Sequence, residues 1–280
     1  MKIYIDETSV FAVVESKTPS ISGVGALVIP DGQEKQLLKH YLKLRATFPL
    51  EKGEVKGKRL SEHHVDALVE ILRKNGALFE VSVIDMASVS EVDIEYHRQQ
   101  QVKMLMESIT PEHHPNVHEG VKQLQETLLA MPLQLYIQYV LSSDLIHRTM
   151  NHAITYYAQR QPKELNDFSW VIDAKNPSGP TKWEDWWRKV LMAFLQSKSI
   201  RDPGIRLISA DYSFLEKHYV PNPDWLPDPV QRGKHPDGRP DTVMELNGVF
   251  GNFTFVSEVN YGLEMVDILT NAVKIGRAHV

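Results

Sequence analysis

The chain predicts an α/β protein: a mixed sheet flanked by helices, with a long helical insertion. Three observations lead there. Short β-rich runs recur, and several stop at an acid: Ile5-Asp6, Ile84-Asp85 and Ile172-Asp173. Segments with apolar residues at helical spacing lie among them. Between about residues 88 and 165 strand signals vanish, and the composition turns to Gln, Glu, His, Leu and Met.

In order, residues 2–6 and 21–29 read as strands, the second ended by Pro30-Asp31-Gly32. Val10 to Val14, between them, reads as a strand or as part of a wide hairpin. Leu37, Leu38, Tyr41, Leu42 and Leu44 have helical spacing. So do Val65, Leu68, Val69, Ile71 and Leu72, with Ser61 as their N-cap. Leu78 to Ile84 is a strand. Pro111, Pro115 and Pro132 divide the stretch 88–165, and no Pro or Gly falls between Pro132 and Pro162; the whole reads as a helical insertion or subdomain. Phe168 to Ile172 is a strand. A helix follows Thr181 and carries Trp183, Trp186, Trp187, Val190, Leu191 and Phe194. Ile205 to Ile208 reads as a short strand and the proline-rich stretch 218–242 as a long loop. Val243–Leu246 and Phe253–Val256 are strands before a final helix from about Asn260. With no internal repeat, the expectation is a single domain over 1–280.

At 280 residues, 42% hydrophobic and 24% charged, the chain has the composition of a soluble globular protein. No apolar run approaches the roughly 20 residues needed to cross a membrane, and the opening residues do not read as a signal peptide. Without cysteine there are no disulfides, thiolate zinc sites or thiol nucleophiles. A cytoplasmic protein is expected. The net charge of −5 argues against a generally basic nucleic-acid binder, and leaves room for a local basic groove.

The candidate chemistry lies in the acids. In α/β folds ligands sit beyond strand ends, where Asp6 and Asp173 fall. The last helix is almost wholly apolar, yet carries Glu264, Asp267 and Asn271 on one face at i, i+3 and i+7. A buried unpaired carboxylate costs several kcal/mol or changes its pKa, and a metal ion is a common remedy. Two strand-end acids, one on a late helix and one from the middle make the order of a ribonuclease-H-like metal site. Two Mg²⁺ ions roughly 4 Å apart stabilise the attacking and leaving oxygens there, and Mg²⁺ takes oxygen ligands. The alternative is structural: Asp6 caps a turn and Asp267 pairs with an Arg or Lys. The middle segment is Gly53-Glu54-Val55-Lys56-Gly57-Lys58-Arg59. Glu54 is its candidate ligand, and Lys52, Lys56, Lys58 and Arg59 form the densest positive run. It reads as a phosphate grip or as a solvated charged loop.

Tyr4-Ile5-Asp6-Glu7-Thr8-Ser9 resembles the Y-[IF]-D-E-[ST]-[GS] opening of the bacterial and phage domain-of-unknown-function-3800 family. Gly25-Ala26-Leu27-Val28-Ile29-Pro30 is similar to that family's second strand and Glu54-Val55-Lys56-Gly57 to its E-[IVL]-K-[GAS] motif. Gly262-Leu263-Glu264-Met265-Val266-Asp267-Ile268 is similar to its G-[LI]-[EQ]-[LIM]-[AV]-D-[LI] helix. These motifs fall in the family's order over nearly the whole chain. The resemblance implies a ribonuclease-H-like core with Asp6, Asp173 and Asp267 as metal ligands and Glu54 and Lys56 at the same site. The expected function is a Mg²⁺- or Mn²⁺-dependent nuclease acting on DNA or RNA. Asp6 bridges the ions, and Asp173 and Asp267 hold one each. Glu54 is a ligand or orients water, Lys56 meets the scissile phosphate, and Glu7 and Glu264 stand behind the ligands. Lys52, Lys58 and Arg59 contact nucleic acid. The alternative is a non-catalytic binding protein of the same fold, in phage defence or mobile-element biology.

Other motifs read as structure. His113-His114-Pro115-Asn116-Val117-His118 suits a loop or helix end, and His63-His64 a solvated pair. The Trp183, Trp186 and Trp187 group suits packing onto the sheet. Ile275-Gly276-Arg277-Ala278-His279-Val280 reads as the translation of a short-read sequencing adapter, a non-native tail, or as an ordinary short tail.

Overall fold

β1 (Lys2–Thr8) sets the plan of the molecule, because its alternate side chains feed two cores. Ile3 and Ile5 enter one core and Tyr4 the other. This computed structural model describes residues 1–15, 18–51, 53–107, 109–111, 113–174, 204–221 and 242–274, with isolated positions between 184 and 202 and Gly276. Residues 222–241 of the loop expected at 218–242, Trp183 and nearly all of the 275–280 tail lie outside the described residues; the ends of that loop, Tyr219–Pro221 and Thr242, are instead paired in a short ladder.

β2 (Ile21–Ile29) pairs antiparallel with β1 across a wide loop. It is buried almost throughout because both faces of the sheet are covered. α1 (Glu34–Arg45) buries Leu37 and Tyr41. A small hairpin, β3 (Leu50–Glu51) with β4 (Glu54–Val55), and a 3₁₀ turn at Gly57–Arg59 lead into α2 (Glu62–Lys74). β5 (Leu78–Asp85) joins the far side of β2. α3 (Glu91–Glu107), α4 (Pro115–Ala130) and α5 (Leu133–Arg160) follow, then β6 (Ser169–Asp173). β7 (Tyr219–Pro221) and β8 (Thr242–Met244) form a separate ladder. α6 (Leu246–Phe250), β9 (Phe253–Val256) and α7 (Tyr261–Lys274) complete the fold.

The main sheet has five strands in the order β5-β2-β1-β6-β9. β2 runs antiparallel to its neighbours, whereas β1, β6 and β9 are parallel. One face carries α1, α2 and α7. The other carries α3, α4, α5 and the buried Trp186 and Trp187, Trp187 meeting Phe253 edge-on at 5.6 Å. The stretch 88–165 is therefore a layer of the domain core. Arg148 of α5 ties that layer to the sheet edge, bonding Glu80, Asp144 and the Val81 carbonyl, which helps protect the outer strand.

One expected strand is absent: 205–208 has no regular structure. The Leu207 N–H donates to Tyr212 Oη, Arg206 stacks over Tyr212 and Tyr219, and Ile208 is 106% exposed. Apolar, β-branched composition suggested a strand, but no neighbouring ladder takes it up.

Candidate active site

The parallel register of β1 and β6 runs from Lys2 beside Ser169 to Ile5 beside Ile172, and Asp6 and Asp173 are the next residues of the two strands. Neighbouring strands lie about 4.8 Å apart; Asp173 closes β6, and Asp6 stands two residues before the end of β1. By alternation both belong to the face of Tyr4 and Val171, the face that α7 covers. Glu7 alternates to the opposite face. Asp6 Oδ1 accepts the Glu7 N–H at 2.7 Å. Asp85, the third strand-end acid, accepts the Ser20 and Ala87 amides and shapes its own turn.

α7 lies along β1 in the same direction. Its N-terminus is capped by Asn260, whose Oδ1 accepts the Gly262 N–H at 2.9 Å. Gly262 rests on the Tyr4 ring, where an added Cβ would come within 2.2 Å of a ring carbon. At the other end Thr8 Oγ1 donates to Asn271 Oδ1 at 3.1 Å. Between these contacts, Asp6 lies two residues past Tyr4, about 6.6 Å at the rise of a strand. Asp267 lies five residues past Gly262, about 7.5 Å at the helical rise. By these rises the two acids fall at similar heights along strand and helix.

Asp267 is half-buried. Its Oδ2 accepts the Gly57 N–H at 3.2 Å and its Oδ1 the Asn271 amide at 2.7 Å. Burial pushes its carboxyl above the usual range, opposed by the Gly57 N–H, the Lys56 charge and Asn271. Gly57 fits because it lacks a side chain; a Cβ there would meet Ile268 Cα at 2.9 Å. One turn earlier, Glu264 takes Arg45 Nε at 2.6 Å, Arg45 Nη2 at 3.0 Å, Tyr41 Oη at 2.6 Å and the Val55 N–H at 3.2 Å. Burial and this bond hold the Tyr41 phenol well above its ordinary value.

The remaining candidates divide. Lys56 is half-buried, with its charge felt at Asp267. The backbone of Glu54 pairs with Glu51, and its side chain lies outside the described set, as does Lys52. Lys58 is exposed, and Arg59 Nε pairs with Glu51 at 3.1 Å. Sequence reasoning missed Tyr41 and Arg45. Their one signal is spacing: they sit at i and i+4, with a charge where the buried face of α1 would continue. Of the histidines set aside earlier, His114 caps α4, and His64, expected to be solvated, accepts the Ser61 N–H.

For a hard divalent cation the donor type fits: half-buried carboxylates at a sheet end, two on neighbouring strands and one on the covering helix. Among the described residues, no three His, Asp or Glu side chains form a group arranged to hold a metal ion. Also among them, no helix is long and apolar enough to cross a membrane. No family model, curated protein or solved structure matches the chain.

Proposed function

We propose that the chain is a ribonuclease-H-like nuclease, related to the domain-of-unknown-function-3800 family, that hydrolyses phosphodiesters with Mg²⁺ or Mn²⁺. The observation that supports this reading is that Asp6 and Asp173 follow the paired Ile5 and Ile172 on adjacent parallel strands, on the face covered by α7, the helix that carries Asp267. Asp6, Asp173 and Asp267 would hold the cation, with Glu54 as a further oxygen donor. When bound, the cation supplies Lewis acidity and a water of lowered pKa. Asn271 and the Gly57 N–H orient the Asp267 carboxylate. The Lys56 ammonium neutralises charge on the phosphate, and the exposed Lys58 and Arg59 hold neighbouring phosphates.

A second reading rests on a different observation. Both Asp267 oxygens already accept hydrogen bonds, as they would in a nucleic-acid-binding protein that keeps the fold without the chemistry.

The deciding experiment assays single- and double-stranded DNA and RNA with Mg²⁺ or Mn²⁺, alongside thermal unfolding. Wild type should cleave at least one substrate, and Asp6→Asn should not. Mg²⁺ should raise the melting temperature of wild type alone, because only a ligand of the native state stabilises it. Binding without cleavage would favour the second reading. An equal metal-induced shift in both proteins would remove Asp6 from the site.

A further inference from the structure

The segment Gly53–Gly57 is held by every second residue. Arg45 Nη2 donates to the Gly53 carbonyl at 2.9 Å, Glu264 Oε2 accepts the Val55 N–H at 3.2 Å, and Asp267 Oδ2 accepts the Gly57 N–H at 3.2 Å. Glu264 and Asp267 therefore grip alternate amides of one strand-like segment. Val55 is buried in the core beneath. Lys56 lies between the two grips, and its charge reaches the Asp267 carboxyl.

Arg45 joins the two sides of this clamp. Its guanidinium takes both oxygens of Glu264 and still reaches Gly53 through Nη2. It also lies 5.5 Å from the centre of the Tyr261 ring. The Glu264 side chain is 7% exposed, so it is shielded from water that would compete for it. A lysine brings one ammonium and no fork, and cannot serve both partners in this geometry. This is a larger construction than a solvated loop requires.

We infer that Arg45 is a positioning residue, which acts through Glu264 to hold Lys56 beside Asp267. The inference rests on the nuclease reading for its effect on catalysis, but not for its effect on structure. Arg45→Lys should lower kcat about 10- to 100-fold, the scale of a misplacement near 1 Å, while KM stays within about twofold. Glu264→Gln should do the same. On a Lys56→Ala background, Arg45→Lys should cause little further loss, because both changes remove the same group from the same place. Independently of activity, Val55 and Gly57 amide exchange should quicken on the order of tenfold in Arg45→Lys, with β1–β2 amides unchanged. The Lys56 Cε resonance should also move.

Unchanged exchange at Val55 and Gly57 would overturn the inference. So would faster exchange with an unchanged kcat, or losses that multiply on the Lys56→Ala background. If wild type cleaves nothing, the nuclease reading fails by itself. The positioning role then stands or falls on the exchange rates and the Lys56 resonance.

Discussion

Ser9 has a left-handed backbone, φ +73°, the only such non-glycine among the described residues. It follows Thr8, whose hydroxyl reaches Asn271. The left-handed conformation costs a residue with a Cβ roughly 1–2 kcal/mol, and glycine gives back about 0.5–1 kcal/mol through its freer unfolded chain. Ser9→Gly should therefore raise stability in a urea titration by about 0.5–1 kcal/mol; a loss would mean that the Ser9 hydroxyl, bonded to Lys274, outweighs the strain. Asp267 gives a second prediction. Its carboxyl is raised by burial, so it holds its proton more tightly folded than unfolded. Its stabilising effect is full below the unfolded value of about 3.9 and is lost as pH rises through the folded value. Asp267→Asn removes that slope. The apo wild type should lose stability relative to the variant as pH rises above about 4, with the difference vanishing at lower pH. Parallel curves would show that burial does not govern this group. Asp267 and Asn271 stood out in the sequence because polar residues interrupt an apolar helix at one-face spacing. Arg45 did not, since its partner lies 219 residues away, and its spacing from Tyr41 hints at a role without naming that partner.

Among the elements, those with two covered faces or a regular stripe were the legible ones. β2 has the expected bounds because a strand buried on both sides must be apolar along its length. β9 matches too, β5 ends on its acid Asp85 as expected, and β1 runs on two residues past Asp6. For α5, periodicity marks an apolar face but not what that face meets. Its long stripe, Tyr136 through Ala158, packs on β2 and β5 as the second layer of the domain. A contact at its end tests that role: the buried Tyr157 donates to the Gly76 carbonyl, just past α2, at 2.9 Å. Tyr157→Phe leaves that carbonyl without this donor and should cost about 1–2 kcal/mol in chemical denaturation. A change within experimental error would mean that water replaces the phenol. The misread strand at 205–208 teaches the converse, since strand composition without an available ladder forms no strand.

For the whole molecule, 31 Lys and Arg face 36 Asp and Glu, so a polyanion must be met by a local patch. Lys58→Ala combined with Arg59→Ala should weaken nucleic-acid binding without altering metal affinity. The slope of log K against log salt should fall by roughly one to two units, at about 0.7–0.9 per phosphate contact. Equal binding at every salt concentration would place the groove elsewhere. Sequence could find this charge run, since it is contiguous, but not the pairing of Arg59 with Glu51, which requires the hairpin. The side-by-side run of β1 and α7 has a consequence in time. Thr8 and Asn271 are 263 residues apart along the chain. At roughly 5–20 residues per second, a ribosome separates their synthesis by on the order of 13–50 s. Through that interval Asp6 has been made and Asp267 has not. An unfinished chain cannot lay α7 along β1, so the face bearing Asp267 is closed only once nearly all of this sequence has been made.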